Sequence, residues 1–420
     1  MTTRLKTVLL TLLSLLSAGS VFATDGYFST GYGIKQQGHG GAGVALPQDS
    51  LAAATNPAGL VFVGNRFDFG LTFFRPIRSG TITGNQLPPG FPDVNGTYDA
   101  NRKTNFFIPE LGYNHLLRPN LSLGVSIYGN GGMNTSYTTA IPLLGTSRAG
   151  VDLQQLFVAP TIAFKVNSHN AFGVSLNLAY QRFSGSGLQN FAAPNFSIEP
   201  ANVTDRGYAN SFGAGVRVDW IGELNHVVSL GATFQTKTHA SNFGKYRGLF
   251  AEQGGFDIPA SFAGGVALKL HPKVTVLFDA ERILYGQVKS IANLDSNQAP
   301  LGANNGPGFG WHDVTAEKTG VDYKVSSTVT VRGGYNHAGL AFDRTQTFFN
   351  LLAPAVVQDH VSAGATWTLH NGKEVSFAYQ HAFDTTVNGV NSIPPTAGGG
   401  NANLRMYQNL LGISIGWGRK

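Results

Sequence analysis

From Asn65 to the C-terminus, apolar and polar residues alternate with a period of two, the spacing of strands with one apolar and one polar face. Phe67, Phe69, Leu71 and Phe73 alternate with Asp68, Gly70 and Thr72, and Leu121, Leu123, Val125 and Ile127 repeat the spacing. Phe172, Val174, Leu176, Leu178 and Tyr180 oppose Gly173, Ser175, Asn177 and Ala179. Val361, Ala363, Ala365, Trp367 and Leu369 form another such run, and Tyr407 to Trp417 the last, with Asn409 interrupting its apolar face. The pattern predicts 14 strands, beginning near residues 65, 106, 121, 152, 171, 208, 227, 258, 273, 312, 327, 360, 374 and 406. Tight turns are expected at Leu117 to Asn120, Asn167 to Asn170, Gly222 to His226, His271-Pro272 and His370 to Lys373. Long polar, Gly- and Pro-rich connections are expected at 77–105, 130–150, 184–206, 237–257, 285–311, 338–359 and 383–405.

Short turns at one end and long loops at the other describe an all-β fold, a 14-stranded antiparallel transmembrane β-barrel. A closed barrel pairs every backbone donor and acceptor, so an apolar outer face can meet lipid. An even strand count leaves both termini on the short-turn, periplasmic side. A secreted solenoid or sandwich is the soluble alternative, but no fixed repeat occurs, and a sandwich does not predict such regular loop asymmetry. Phe73, Phe74, Tyr128, Tyr180, Trp220, Tyr285, Trp311 and Trp417, near strand ends, are expected in interfacial girdles.

Composition narrows the reading. Of 420 residues, 54 are Gly, 42% are hydrophobic and only 12% are charged, which excludes a disordered chain. The absence of Cys removes disulfides, thiolate metal sites and Cys nucleophiles. A net charge of +6, spread along the chain, gives no basis for nucleic-acid binding. Arg4 and Lys6, the apolar stretch Val8 to Val21 and Val21-Phe22-Ala23 form a secretory signal peptide over residues 1–23. Residues 24–64 fit no strand pattern and carry enough apolar side chains to favour burial as a plug, or hatch, within the barrel formed by residues 65–420.

Gly38-His39-Gly40-Gly41-Ala42-Gly43, followed by Asp49 to Gly59 with Asn56-Pro57-Ala58 at its end, resembles the hatch of the FadL/TodX family. Gly310-Trp311-His312-Asp313 and Gln358 to Gly364 continue the resemblance, which extends over essentially the whole mature chain. It implies a monomeric, plugged outer-membrane barrel, inserted by the barrel-assembly machinery, that passively moves hydrophobic small molecules without a cofactor or metal. Long-chain fatty acids are the first expectation, and aromatic hydrocarbons by the same route the alternative. Ligand would be captured among the loops and released sideways into outer-membrane lipid through a kinked third strand. By this resemblance, Gly129, Gly131 and Gly132 mark the kink, with Asn56, Pro57 and Ala58 seated against it. Arg182 and His312 would meet a carboxylate or polar head, although His stands where a Lys occurs in a well-known member. Phe183, Leu188, Phe191, Phe196, Phe243, Leu249, Phe250 and Phe256 would line an apolar capture groove.

Other chemistry finds less support. Gly412-Ile413-Ser414-Ile415-Gly416 has the G-x-S-x-G spacing but lies mid-strand, where no strand-to-helix elbow can form. Gly38 to Gly43 has the G-x-G-x-x-G spacing without a βαβ unit, and no H-E-x-x-H occurs. An outer-membrane acyl hydrolase would need a Ser/His pair at one rim. An open porin would need a charged lumen free of a long plug, against both the low charge and residues 24–64. Gly418-Arg419-Lys420 follows Trp417, where barrels commonly end in an aromatic residue.

Overall fold

The computed structural model describes residues 25–419, so the expected signal peptide, residues 1–23, lies outside the described residues. The strands are β1 (Asn65–Thr83), β2 (Gly96–Asp99), β3 (Phe106–Arg118), β4 (Leu121–Ala140), β5 (Arg148–Lys165), β6 (Asn170–Ser186), β7 (Ala209–Glu223) and β8 (Val228–Gln235). They continue as β9 (His239–Ala240), β10 (Ser261–His271), β11 (Val274–Ile283), β12 (Val314–Lys324), β13 (Val329–Ala338), β14 (Asp359–Thr368), β15 (Lys373–Val387) and β16 (Asn401–Arg419). Fourteen of them close into an antiparallel barrel in chain order, with β16 returning to β1. The short β2 pairs with β1, and β9 with β7, outside that circuit.

The alternation located every barrel strand, the largest offset being β16, at Asn401 rather than 406. Several strands run further than expected. The stretch 130–150 is mostly paired backbone, because β4 continues to Ala140 and β5 begins at Arg148. Beyond the lipid a strand needs ladder hydrogen bonds but no apolar face, so its alternation fades before its pairing does. A further tight turn joins β12 to β13, where Val325 N donates to Val329 O at 2.9 Å.

Leu176, Leu178, Val218, Phe262, Val321, Trp367 and Ile413 are exposed on the outer face, a belt suited to lipid. Tyr128, Tyr285 and Trp311 depart from the girdle expectation: they are buried inside, where hatch and loops cover them. Inward positions are largely small or polar, including Asp68, Asn114, Ser126, Ser175, Asn177 and Asp279.

Residues 25–64 occupy the lumen as short helical turns, Ile34–Gln37, Ser50–Ala54, Pro57–Gly59 and Leu60–Val63. Such irregular backbone leaves N–H groups that need acceptors when buried. Carboxylates on the wall supply them. Glu110 accepts from Gly33 N (3.0 Å) and Ile34 N (3.1 Å), Asp279 from Gly43 N (2.6 Å) and Val44 N (2.9 Å), and Asp68 from Ser50 N (2.9 Å). Arg217 donates to Ala54 O (2.7 Å) and Thr55 O (2.9 Å). An ion pair of Lys35 with Glu374 (2.6 Å) and a hydrogen bond between His39 and Asp322 add to the attachment. Gly41, at φ +88°, turns the hatch where a Cβ would collide with the Thr30 carbonyl.

Candidate functional site

The β3–β4 ladder runs from Arg118↔Leu121 only to Leu111↔Ile127. Above that rung β3 stays paired to β1 as far as Phe106, and β4 stays paired to β5, so the two strands part company. Two local features account for this. Pro109 has no N–H for a ladder, and β4 carries a bulge against β5 between Gly129 and Gly131. The bulge shifts the inward set from Ser126 and Tyr128 to Met133, Thr135 and Tyr137. Further up the wall closes again: Arg102 N donates to Ser136 O at 3.0 Å, and Ser136 N to Ala100 O at 3.3 Å. The result is a bounded window, with Phe106 to Pro109 on one jamb and Gly129 to Asn134 on the other.

The hatch reaches this window with its first residues. Ser29 N donates to Asn130 O (3.1 Å) and Gly132 N to Tyr27 O (3.0 Å), so Tyr27–Ser29 lies along the β4 edge that β3 leaves free. A side chain at Gly131 would strike the Tyr27 carbonyl, which explains the glycine. The Tyr285 hydroxyl, from the loop after β11, donates to Asp25 O and accepts from Tyr27 N (3.1 Å) and Phe28 N (3.4 Å). Burial holds this phenol well above its usual range, so it stays protonated and keeps its donor role. Lys318 adds an ion pair to Asp25 (2.9 Å) and a hydrogen bond to Thr30 O (2.9 Å).

Behind the window lies a cavity of about 690 Å³, within the usual range for small-molecule sites. Its lining runs from Phe28, Tyr128 and Leu410 inside to Phe107, Tyr180 and Arg182 on the outer face. Lumen and lipid-facing surface are thus parts of one space. Arg78 borders it but is committed to three carbonyls, Asn134 O (2.6 Å), Lys103 O (2.6 Å) and Ala100 O (3.3 Å).

The expected site residues fall in separate places. Arg182 continues the Leu176, Leu178, Tyr180 series and so stands on the outer face, stacked 4.2 Å over Tyr208 and donating to Gln154 Oε1 at 3.1 Å. His312 is exposed, against Asp313 O at 3.2 Å, five barrel strands from Arg182. The two form no joint carboxylate anchor. Gly129, Gly131 and Gly132 are at the kink and border the window. Asn56-Pro57-Ala58 is not against it: Asn56 Nδ2 donates to Trp220 O at 3.1 Å, and Pro57 and Ala58 pack on Gly173, at the short-turn end of β6 and β7. Tyr27–Ser29 occupies the place expected for the tripeptide.

Phe183, Leu188, Phe243, Phe250 and Phe256 are buried, Phe191 and Leu249 pack against them, and Phe196 is exposed. Phe183 meets Phe250 at 4.7 Å and Phe243 at 5.7 Å between ring centres, and Phe250 meets Phe256 at 5.0 Å. Phe183, Leu188, Phe191, Leu249 and Phe250 enclose a space of only about 40 Å³, room for little more than a water. Wall carboxylates as hatch acceptors escaped the sequence reading. Their signal was present in Asp68, a charge between Phe67 and Phe69 on the inward phase of the alternation.

The family model of the outer membrane protein transport proteins (OMPP1/FadL/TodX) matches residues 20–409. The chain belongs to this family. It is therefore an outer-membrane transport protein for hydrophobic compounds, and the family's members are channels rather than enzymes. Among solved structures, the P. putida toluene transporter TodX superposes with TM-score 0.70 at 17% identity, over 93% of this chain and 100% of that one. A Pseudomonas aeruginosa FadL homologue gives TM-score 0.70 at 16% identity, over 93% and 99%. The Ralstonia pickettii toluene transporter TbuX gives TM-score 0.63 at 16% identity, over 92% and 98%. A search of curated proteins finds no match.

Proposed function

We propose that this FadL/TodX-family barrel takes up small uncharged hydrophobic molecules of the aromatic-hydrocarbon kind and releases them sideways, through the β3–β4 window, into outer-membrane lipid. The carrying observation is the single cavity that runs from the lumen through the window to the lipid-facing wall. Entry would begin at the Phe183–Phe250 cluster beneath the loops, whose aromatic contacts must loosen to admit a ligand. Each buried CH₂ or its aromatic equivalent contributes about 0.8 kcal/mol relative to water. Movement to the bilayer is then downhill and needs no nucleotide.

Charge favours this reading over the fatty-acid one. A carboxylate in a low-dielectric cavity needs a cation free to pair with it. Arg78 is spent on backbone carbonyls, and Lys318 is shared between Asp25 and Glu281, the latter at 2.8 Å. Arg182 lies on the outer wall beyond the window. Two of the similar structures are toluene transporters, which agrees with an uncharged ligand. The test is binding of toluene and of a long-chain fatty acid to purified protein, with Arg182→Ala alongside. Toluene binding that ignores the substitution supports the proposal. Tighter fatty-acid binding that weakens in Arg182→Ala overturns it and assigns a carboxylate site at the window.

A further inference from the structure

The cavity is apolar over most of its lining, but its β14–β16 wall is not. Inward positions there place His360, Gln380 and Gln408 on the cavity surface. His360 and Gln408 both pair with Ala382 across adjacent ladders, so they flank it on one rung. Gln380 lies on the next inward rung, beside Ser362 and Leu410. His360 and Gln380 are each only 1% exposed.

Buried polar atoms normally have hydrogen-bond partners, and an unpaired one calls for an explanation. Gln380 Oε1 accepts from Thr30 Oγ1 of the hatch at 2.9 Å, while its Nε2 has no partner among the described residues. His360 Nδ1 has none either. The Gln408 side chain hydrogen-bonds His360, and its amide nitrogen otherwise meets only the Met406 sulfur, a weak acceptor, at 3.7 Å. Tyr27, Phe28 and Ile108 line the same cavity.

We infer that the His360–Gln380–Gln408 wall is a recognition site for a single uncharged hydroxyl, so that the preferred ligand is a small phenol or aryl alcohol rather than a bare hydrocarbon. The inference rests on the uptake of uncharged aromatics proposed above and adds a head group to it. A hydroxyl supplies one donor and two acceptor lone pairs. It can accept from Gln380 Nε2 while exchanging a second hydrogen bond with His360 Nδ1, with its ring among the aromatic side chains that line the same cavity. A hydrocarbon in the same place leaves both buried groups unpaired. A site built to hydrogen-bond a hydroxyl discriminates against the analogue that lacks it.

The test is calorimetric titration of the full chain, in detergent, with 4-ethylphenol, ethylbenzene and 4-ethylbenzoate. Two neutral hydrogen bonds predict 4-ethylphenol binding about tenfold tighter than ethylbenzene. Gln380→Met together with His360→Leu, which keep approximate side-chain volume, should bring the two to parity by weakening only the phenol. Equal binding of phenol and hydrocarbon to the unsubstituted protein overturns the inference and needs no variant to fold. A preference that persists in the double variant, with the barrel's heat-modifiable gel mobility intact, overturns it as well. If 4-ethylbenzoate binds and neither neutral aromatic does, the underlying uptake proposal has failed, an outcome distinct from the other two.

Discussion

Two seams of the barrel wall differ in a way that runs against intuition. The β1–β16 seam, where the ends of the barrel must find each other across the whole chain, is zipped without a register shift from Asn65↔Arg419 to Thr83↔Asn401. The β3–β4 seam joins chain neighbours through a tight turn, yet its ladder stops at Leu111↔Ile127. An opening in this wall is therefore not a failure of closure. It is written locally, by a proline without a donor, by glycines that admit a bulge, and by a hatch segment that takes up part of the edge left free. A closed barrel tolerates such a break only where something else pairs the exposed backbone, and Tyr27–Ser29 does so.

Placing a proline in the closed seam should break this contrast most severely. Ile413→Pro removes a donor in the middle of a strand paired on both sides and costs about 3 kcal/mol or more, whereas Pro109 is native to the open seam. Loss of heat-modifiable mobility in Ile413→Pro is the expected result. Gly131→Val should act next in size and only at the window. Its side chain strikes the Tyr27 carbonyl and displaces Tyr27–Ser29 from β4, a local cost of about 2 kcal/mol. Hydrogen exchange at Gly132 and Ser29 should accelerate while the β1–β16 amides remain protected. Tyr285→Phe should be smallest, about 1 kcal/mol, because it removes one hydroxyl bonded to Asp25, Tyr27 and Phe28. Exchange should rise at Tyr27 and Phe28, with the unfolding midpoint of the barrel unchanged.

The fold was legible because lipid imposes a strict alternation on every strand it touches. Where lipid ends, so does the signal: the polar stretch after Asn130 reads as loop although β4 continues to Ala140. The kink was legible from Gly129, Gly131 and Gly132, since glycine is where strand pairing is weakest. Its partner was not, because nothing local in Tyr27–Ser29 announces a bridge to residues a hundred positions away. Arg182 is instructive in the other direction. Its phase, two residues after Tyr180, already placed it on the outer face, and the family resemblance drew it inward. The hatch attachments depend on long-range pairs such as Gly43 with Asp279, which alternation alone cannot match up.

Lateral release requires the window to be the exit. A Cβ at Gly129 would lie 2.9 Å from the Ile108 side chain, across the open seam, and the chain has no cysteine of its own. The measurement is toluene uptake by cells carrying Ile108→Cys with Gly129→Cys, first oxidised and then reduced, at matched surface abundance. The cross-linked barrel should lose uptake, and reductant should restore it. Uptake that continues unchanged through a fully cross-linked seam would contradict it, and the exit would have to be sought elsewhere in the wall or along the barrel axis.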